Sequence, residues 1–153
     1  MGSYDSRADT LVHSQRVGEL MIQIVNEVLE RSTKHDRSKT ESPELEIFNE
    51  YTQKLKDTTY GSEEYARHLK DMGAGLQHHY AHNRHHPEHF INRISGMNLV
   101  DVIEMLADWR AATERHDDGD IIKSLQIQQG RFEISDQLLS ILLNTVKHFG
   151  WDK

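Results

Sequence analysis

Apolar residues recur at helical spacing almost from the start of the chain. Over residues 9–29, His13, Val17, Leu20, Ile24 and Val28 fall on one stripe, with Met21, Val25 and Leu29 beside it. That i, i+3, i+4, i+7 pattern predicts an amphipathic helix with His13 on its apolar face. Ser42 and Pro43 read as an N-cap and first helical position, opening a helix through Lys56 in which Leu45, Phe48 and Leu55 turn inward. Residues 58–62 break it. A third helix is expected over residues 62–80, weakened by Gly73 and Gly75 by roughly 1 kcal/mol each relative to Ala, glycines that mark a kink or a close approach. Residues 82–95 contain Pro87 and little periodicity, and read as a loop. Asn98 then caps a helix with Leu99, Val102, Ile103, Leu106 and Trp109 on its buried stripe, and Asp101, Glu104 and Asp108 on an acidic one beside it. After a break at residues 117–120, two more helices are expected over residues 121–129 and 135–148, with Gly130 and Gly150 at their C-terminal ends. No segment alternates as a strand does. The expectation is an all-α bundle of five to seven helices, one domain over residues 1–153.

A length of 153 residues suits one hydrophobic core and is short for two. The absence of cysteine excludes disulfide scaffolds, thiolate zinc sites and cysteine nucleophiles, so any metal must be held by nitrogen and oxygen. Eleven histidines supply the nitrogen. A formal charge of −7 argues against duplex nucleic acid as a partner, which demands a basic surface, but leaves room for a small anion held by local cations. No run approaches the length of a membrane span, and the N-terminus lacks a signal-peptide layout, so no membrane partner and a cytoplasmic location are expected.

Six histidines, His78, His79, His82, His85, His86 and His89, crowd one short segment. They are either a solvated polar stretch or a source of imidazole ligands. His35 and Asp36 are adjacent just past the first helix, where a turn of the backbone would let both reach one ion. With His13 and Asp108, the order along the chain becomes His, His-Asp, a His-rich segment, Asp.

On these residues the sequence resembles the HD superfamily of metal-dependent phosphohydrolases, defined by a His, a His-Asp pair and a distal Asp on a helical scaffold. His35-Asp36-Arg37-Ser38-Lys39 looks like the His-Asp signature with its lysine three residues on, and Ala107-Asp108-Trp109-Arg110-Ala111-Ala112 looks like the segment holding the final Asp. The HD-GYP branch, cyclic-dinucleotide phosphodiesterases, is similar in its paired histidines, here His78 and His79, and in the acidic residue four before the first His, here Asp9. Its Gly-Tyr-Pro tripeptide is absent. The resemblance implies an HD-like bundle with His13, His35, Asp36, His79 and Asp108 as metal ligands, and with Asp9 and His78 at a second ion; His82, His85, His86 and His89 stand as further candidates for a second ion or for the shell behind the first. Through Asp5-Ser6-Arg7, Tyr60-Gly61-Ser62, His78 to Phe90 and Ala111 to Asp120, the whole chain also resembles a family of small bacterial and phage proteins of unknown function.

The implied cofactor is one or two divalent ions (Mn, Fe, Zn, Ni, Co or Mg) that lower the pKa of a bound water and polarise a phosphoryl oxygen. Asp36, Lys39 and Glu104 are the candidate catalytic residues. Glu104 reads equally as a ligand-orienting group, a base or a solvated carboxylate. Lys39, Arg16, Arg84 and Arg110 are candidates for the substrate phosphate. His68, His116 and His148 read as ordinary. The expected activity is hydrolysis of a small phosphoester, a nucleotide monophosphate, triphosphate or cyclic dinucleotide, by a chain that could self-associate as a homo-oligomer. Two rivals stand beside it: an HD-fold di-iron oxygenase, and a non-catalytic member that binds a nucleotide or a protein. Glu-x-x-His, His-Glu-x-x-His, a phosphate loop and Gly-x-Ser-x-Gly are all missing.

Overall fold

The computed structural model describes residues 4–59, 61–116 and 118–152, and among these the chain is all-α, with seven α-helices and no strand. They are α1 (Arg7–Lys34), α2 (Glu44–Lys56), α3 (Glu63–Asp71), α4 (Gly73–His82), α5 (Leu99–Thr113), α6 (Ile121–Phe132) and α7 (Asp136–His148). Short 3-10 turns occupy Arg37–Thr40, Pro87–His89 and Arg93–Gly96. The chain divides into two compact units, residues 1–34 and 35–153. The breaks expected at residues 58–62 and 117–120 include Tyr60 and Asp117, which lie outside the described residues.

The N-terminal unit is α1. Its ends suit the helix dipole, with Asp9 in the first turn and Arg31 and Lys34 in the last. Pairs one turn apart, Arg16 with Glu19 at 2.8 Å and Glu27 with Arg31 at 2.6 Å, run along it. The stripe expected to be buried is not: no α1 residue is buried, and Leu20 and Ile24 are 44% and 49% exposed.

In the C-terminal unit, α5, α6 and α7 enclose the apolar core, where Met105, Leu106, Trp109, Leu125, Phe132, Leu142 and Val146 are buried together. The rings of Trp109 and Phe132 stack 6.1 Å apart, 6° from parallel. Periodicity put Leu99 and Ile103 on the buried stripe of α5, yet both are exposed while Val100, Asp101 and Met105 are buried. The helix is rotated because its acidic side chains find partners inside. Asn98 and Asp101 form a capping box at its start.

The helix expected over residues 62–80 is broken into α3 and α4. Met72 is buried at the break, and Gly73 takes a positive φ of 48° that an L side chain rarely adopts. Gly75 serves close packing: a Cβ there would meet Ile47 Cγ1 of α2 at 2.7 Å. The helix then runs two residues further than expected, to His82. Pro43 does not occupy the first helical position; α2 begins at Glu44, with no side-chain cap. Gly130 lies inside α6, whose end is marked by Glu133 at a φ of 55°. Gly150, at a φ of 66°, follows α7 as expected. Against α2 lie α4 and the 3-10 turn Arg37–Thr40, and this layer carries the histidines. Among the described residues no helix is long and apolar enough to cross a membrane.

Candidate metal centre

Just beyond α1 the backbone reverses at Asp36, whose φ of 55° and ψ of 16° lie in the left-handed region. A short polar residue tolerates that conformation better than most, and strained backbone of this kind collects at functional sites. The turn places two neighbouring side chains together, with His35 Nε2 3.5 Å from Asp36 Oδ2. One 3-10 turn later, Lys39 Nζ donates to Asp36 Oδ2 at 2.5 Å. From α5, Glu104 and Asp108 arrive one helical turn apart. His35 Nδ1 donates to Glu104 Oε1 at 3.0 Å, and its Nε2 lies 3.6 Å from Asp108 Oδ1.

The histidine-rich segment completes the cluster. His79 of α4 sets its Nε2 3.4 Å from Asp36 Oδ1 and 2.8 Å from His86 Nε2. His85, 2% exposed, sets its Nε2 3.4 Å from the same oxygen. The rings of His79 and His85 are held from behind by carboxylates. Glu44, wholly buried, accepts from His79 Nδ1 at 2.8 Å through one oxygen and from His78 Nδ1 at 2.7 Å through the other, with Ser38 Oγ donating at 2.9 Å. Glu104 Oε1 lies 3.2 Å from His85 Nδ1. A proton fixed on Nδ1 leaves Nε2 with its lone pair aimed inward, the arrangement that orients metal-binding imidazoles.

Two overlapping groups result, His35–Asp36–His85–Asp108 and Asp36–His79–His85–His86, within each of which the ligand atoms lie within 4.8 Å of one another. They share Asp36 and His85. Asp36 Oδ1 and His85 Nε2, the atoms that face each other at 3.4 Å, are both buried without a hydrogen-bond partner. Leaving such atoms unpaired costs about 1–3 kcal/mol each, and a divalent cation between them would satisfy both. Nitrogen and carboxylate donors without thiolate fit Mn, Fe, Zn, Ni or Co.

The electrostatics are those of a cation hole. Burial would raise the carboxyls of Glu104, Asp108 and Asp36, but the histidines and Lys39 around them hold all three below the ordinary carboxylate range. His35 is pushed up to about 10 by Asp108 and Glu104. His86 is pushed down to about 2 by burial and by the neighbouring His85 and His79. A proton on His35 therefore occupies the place a metal would compete for.

Of the residues singled out in the sequence, His35, Asp36, His79, His86, Asp108, Glu104 and Lys39 come together here. Asp9, His13 and Arg16 belong to the N-terminal unit, where all three are exposed, and both ligand groups are built from the C-terminal unit. His78 sits behind His79 through Glu44, and His82 stacks on His78, ring centroids 4.0 Å apart. Two of the arginines expected on phosphate are engaged elsewhere. Arg84 grips the buried Asp101 with bonds of 3.0 and 2.9 Å, and Arg110 pairs with Glu114 at 3.1 Å. Glu44 went unseen, because an acidic residue in a first helical turn reads as a dipole partner. The sequence ranks His85 only among the candidates for a second ion or the shell behind the first, whereas it belongs to both ligand groups.

The family model described as a family of unknown function, DUF5662, matches residues 2–148. No curated protein matches the chain, and no solved structure does.

Proposed function

The chain belongs to a family of unknown function that lends it no activity, and we propose from the geometry of the site that it is a metal-dependent phosphohydrolase of HD type acting on a small phosphoester, with nucleotides as the substrate class. The observation that carries this reading is the gathering of four imidazoles and two aspartates into two overlapping ligand groups that share Asp36 and His85, where Asp36 Oδ1 and His85 Nε2 have no hydrogen-bond partner. His35, Asp36, His85 and Asp108 would hold one divalent ion, and His79 and His86 with the shared Asp36 and His85 a second. Such an ion supplies a Lewis acid for a phosphoryl oxygen and a water of lowered pKa. Lys39 stands beside Asp36 as the cation for a phosphoryl oxygen. Glu104 is a positioning residue, since it receives the Nδ1 atoms of His35 and His85 rather than facing a substrate.

Removing His35 and Asp36 together, as His35→Ala with Asp36→Ala, is expected to abolish both metal binding, read as stoichiometry after loading with Mn, and any release of phosphate from a nucleotide panel. An unchanged stoichiometry in that variant overturns the site. Two irons per chain with dioxygen consumption would assign an oxygenase instead, and tight nucleotide binding without product would assign sequestration.

A further inference from the structure

Beside the centre opens a cavity of about 710 Å³, lined at one end by Asp36 and Lys39. That is the size of a small-molecule pocket, roughly 300–1,000 Å³. One face of α2 forms its wall: Phe48, Thr52, Leu55 and Lys56 all line it, at the spacing that brings residues to the same side of a helix. Tyr65 of α3 adds a second aromatic ring, and Arg115, just past α5, lines the same cavity.

The charge of this wall runs against that of the chain. In a protein of net charge −7, the cavity is lined by Lys39, Lys56 and Arg115, and Asp36 is the one carboxylate among the lining residues. Lys39 is engaged with Asp36 and lies 4.8 Å from the Phe48 ring centroid. Lys56 and Arg115 form no ion pair among the described residues, unlike Arg84, Arg110 and Arg131. A cationic rim around aromatic walls, opening onto a metal-capable centre, suits a ligand with anionic groups at one end and a flat ring at the other.

We propose that this cavity is a binding subsite for a nucleoside polyphosphate, its base against Phe48 and Tyr65 and the phosphates beyond the reacting one on Lys56 and Arg115. The inference rests on the phosphohydrolase reading for the phosphate that meets the centre, but binding itself is testable without turnover. The β,γ-imido analogue of ATP is titrated into the full chain in EDTA, by calorimetry. Binding is expected, with adenosine alone and tripolyphosphate alone at least about tenfold weaker. Phe48→Ala should weaken it roughly ten- to a hundredfold, the worth of one base–aromatic stack. Lys56→Glu and Arg115→Glu, both at exposed positions that leave the fold intact, should each weaken it about tenfold and flatten its salt dependence. Affinity indifferent to both charge reversals, or tripolyphosphate binding as tightly as the analogue, overturns the subsite. So does an affinity that appears only with added Mn and ignores both reversals. A protein that loads Mn but does not bind the analogue sinks this inference alone; one that binds the analogue but takes no Mn sinks the centre alone.

Discussion

Two glutamates and one aspartate set the character of the centre. Glu44 and Glu104 each receive the Nδ1 atoms of two histidines, and Asp36 faces the Nε2 atoms that this leaves inward. The carboxylates favour a cation, and in the metal-free protein that cation is the His35 proton. Because the folded value, about 10, exceeds the ordinary 6.5, protonation of His35 favours the folded state. Its contribution is complete below about pH 6.5 and is lost as pH climbs toward 10. The melting temperature of the EDTA-treated protein should therefore fall across that window, and His35→Gln should flatten the fall. A variant that keeps the full slope would assign it to other groups. His35, Asp36 and Asp108 were legible because their order along the chain is distinctive even when their distances are unknown. Glu44 was not, since nothing in a sequence distinguishes a carboxylate buried against two imidazoles from one in water.

At the scale of elements, α2 and α4 approach so closely that one position admits no side chain. Gly75→Ala would drive a methyl into Ile47, and it should lower the unfolding free energy by about 1–3 kcal/mol in denaturant titrations. Gly130→Ala should do the opposite and raise it by about 0.5–1 kcal/mol, because that glycine sits within α6 in open space. Equal effects at the two glycines would mean that helix propensity, not the α2–α4 contact, governs both. The sequence carried the warning at residues 73 and 75 but could not say which glycine bent the chain and which admitted a neighbour; the positive φ of Gly73 and the Ile47 contact of Gly75 divide those roles. The error on α5 has a related source. Periodicity counts polar residues as outward, whereas Asp101, Glu104 and Asp108 turn inward because Arg84 and the histidines pair with them.

Across the whole molecule, every buried side chain among the described residues lies in residues 35–153. Amides of Leu125, Leu142 and Val146, buried in the core of α5, α6 and α7, are expected to exchange only on global unfolding. Those of α1, where no side chain is buried, should exchange by local opening and much faster. Comparable protection in the two units, measured by hydrogen exchange, would contradict that ranking. The all-α class and most of the helix starts followed from periodicity and caps, as Asn98 and Ser135 confirm by accepting from Asp101 and Leu138, whereas the division of residues 62–80 into α3 and α4 did not. The exposed stripe of α1 did not, because an apolar face announces that it can be covered and not by what. One helix, α5, bears on everything else in the second unit. Met105, Leu106 and Trp109 face the core, while Asp101 tethers Arg84, Glu104 turns the neighbouring His85 ring, and Asp108 meets His35. Those three acids stand at successive turns, so α5 acts as a ruler on which the centre is marked out. A single residue inserted between Asp101 and Asp108 would leave a sound helix and rotate one end of the scale by about 100° against the other, so the centre depends on the length of this helix as strictly as on its acids.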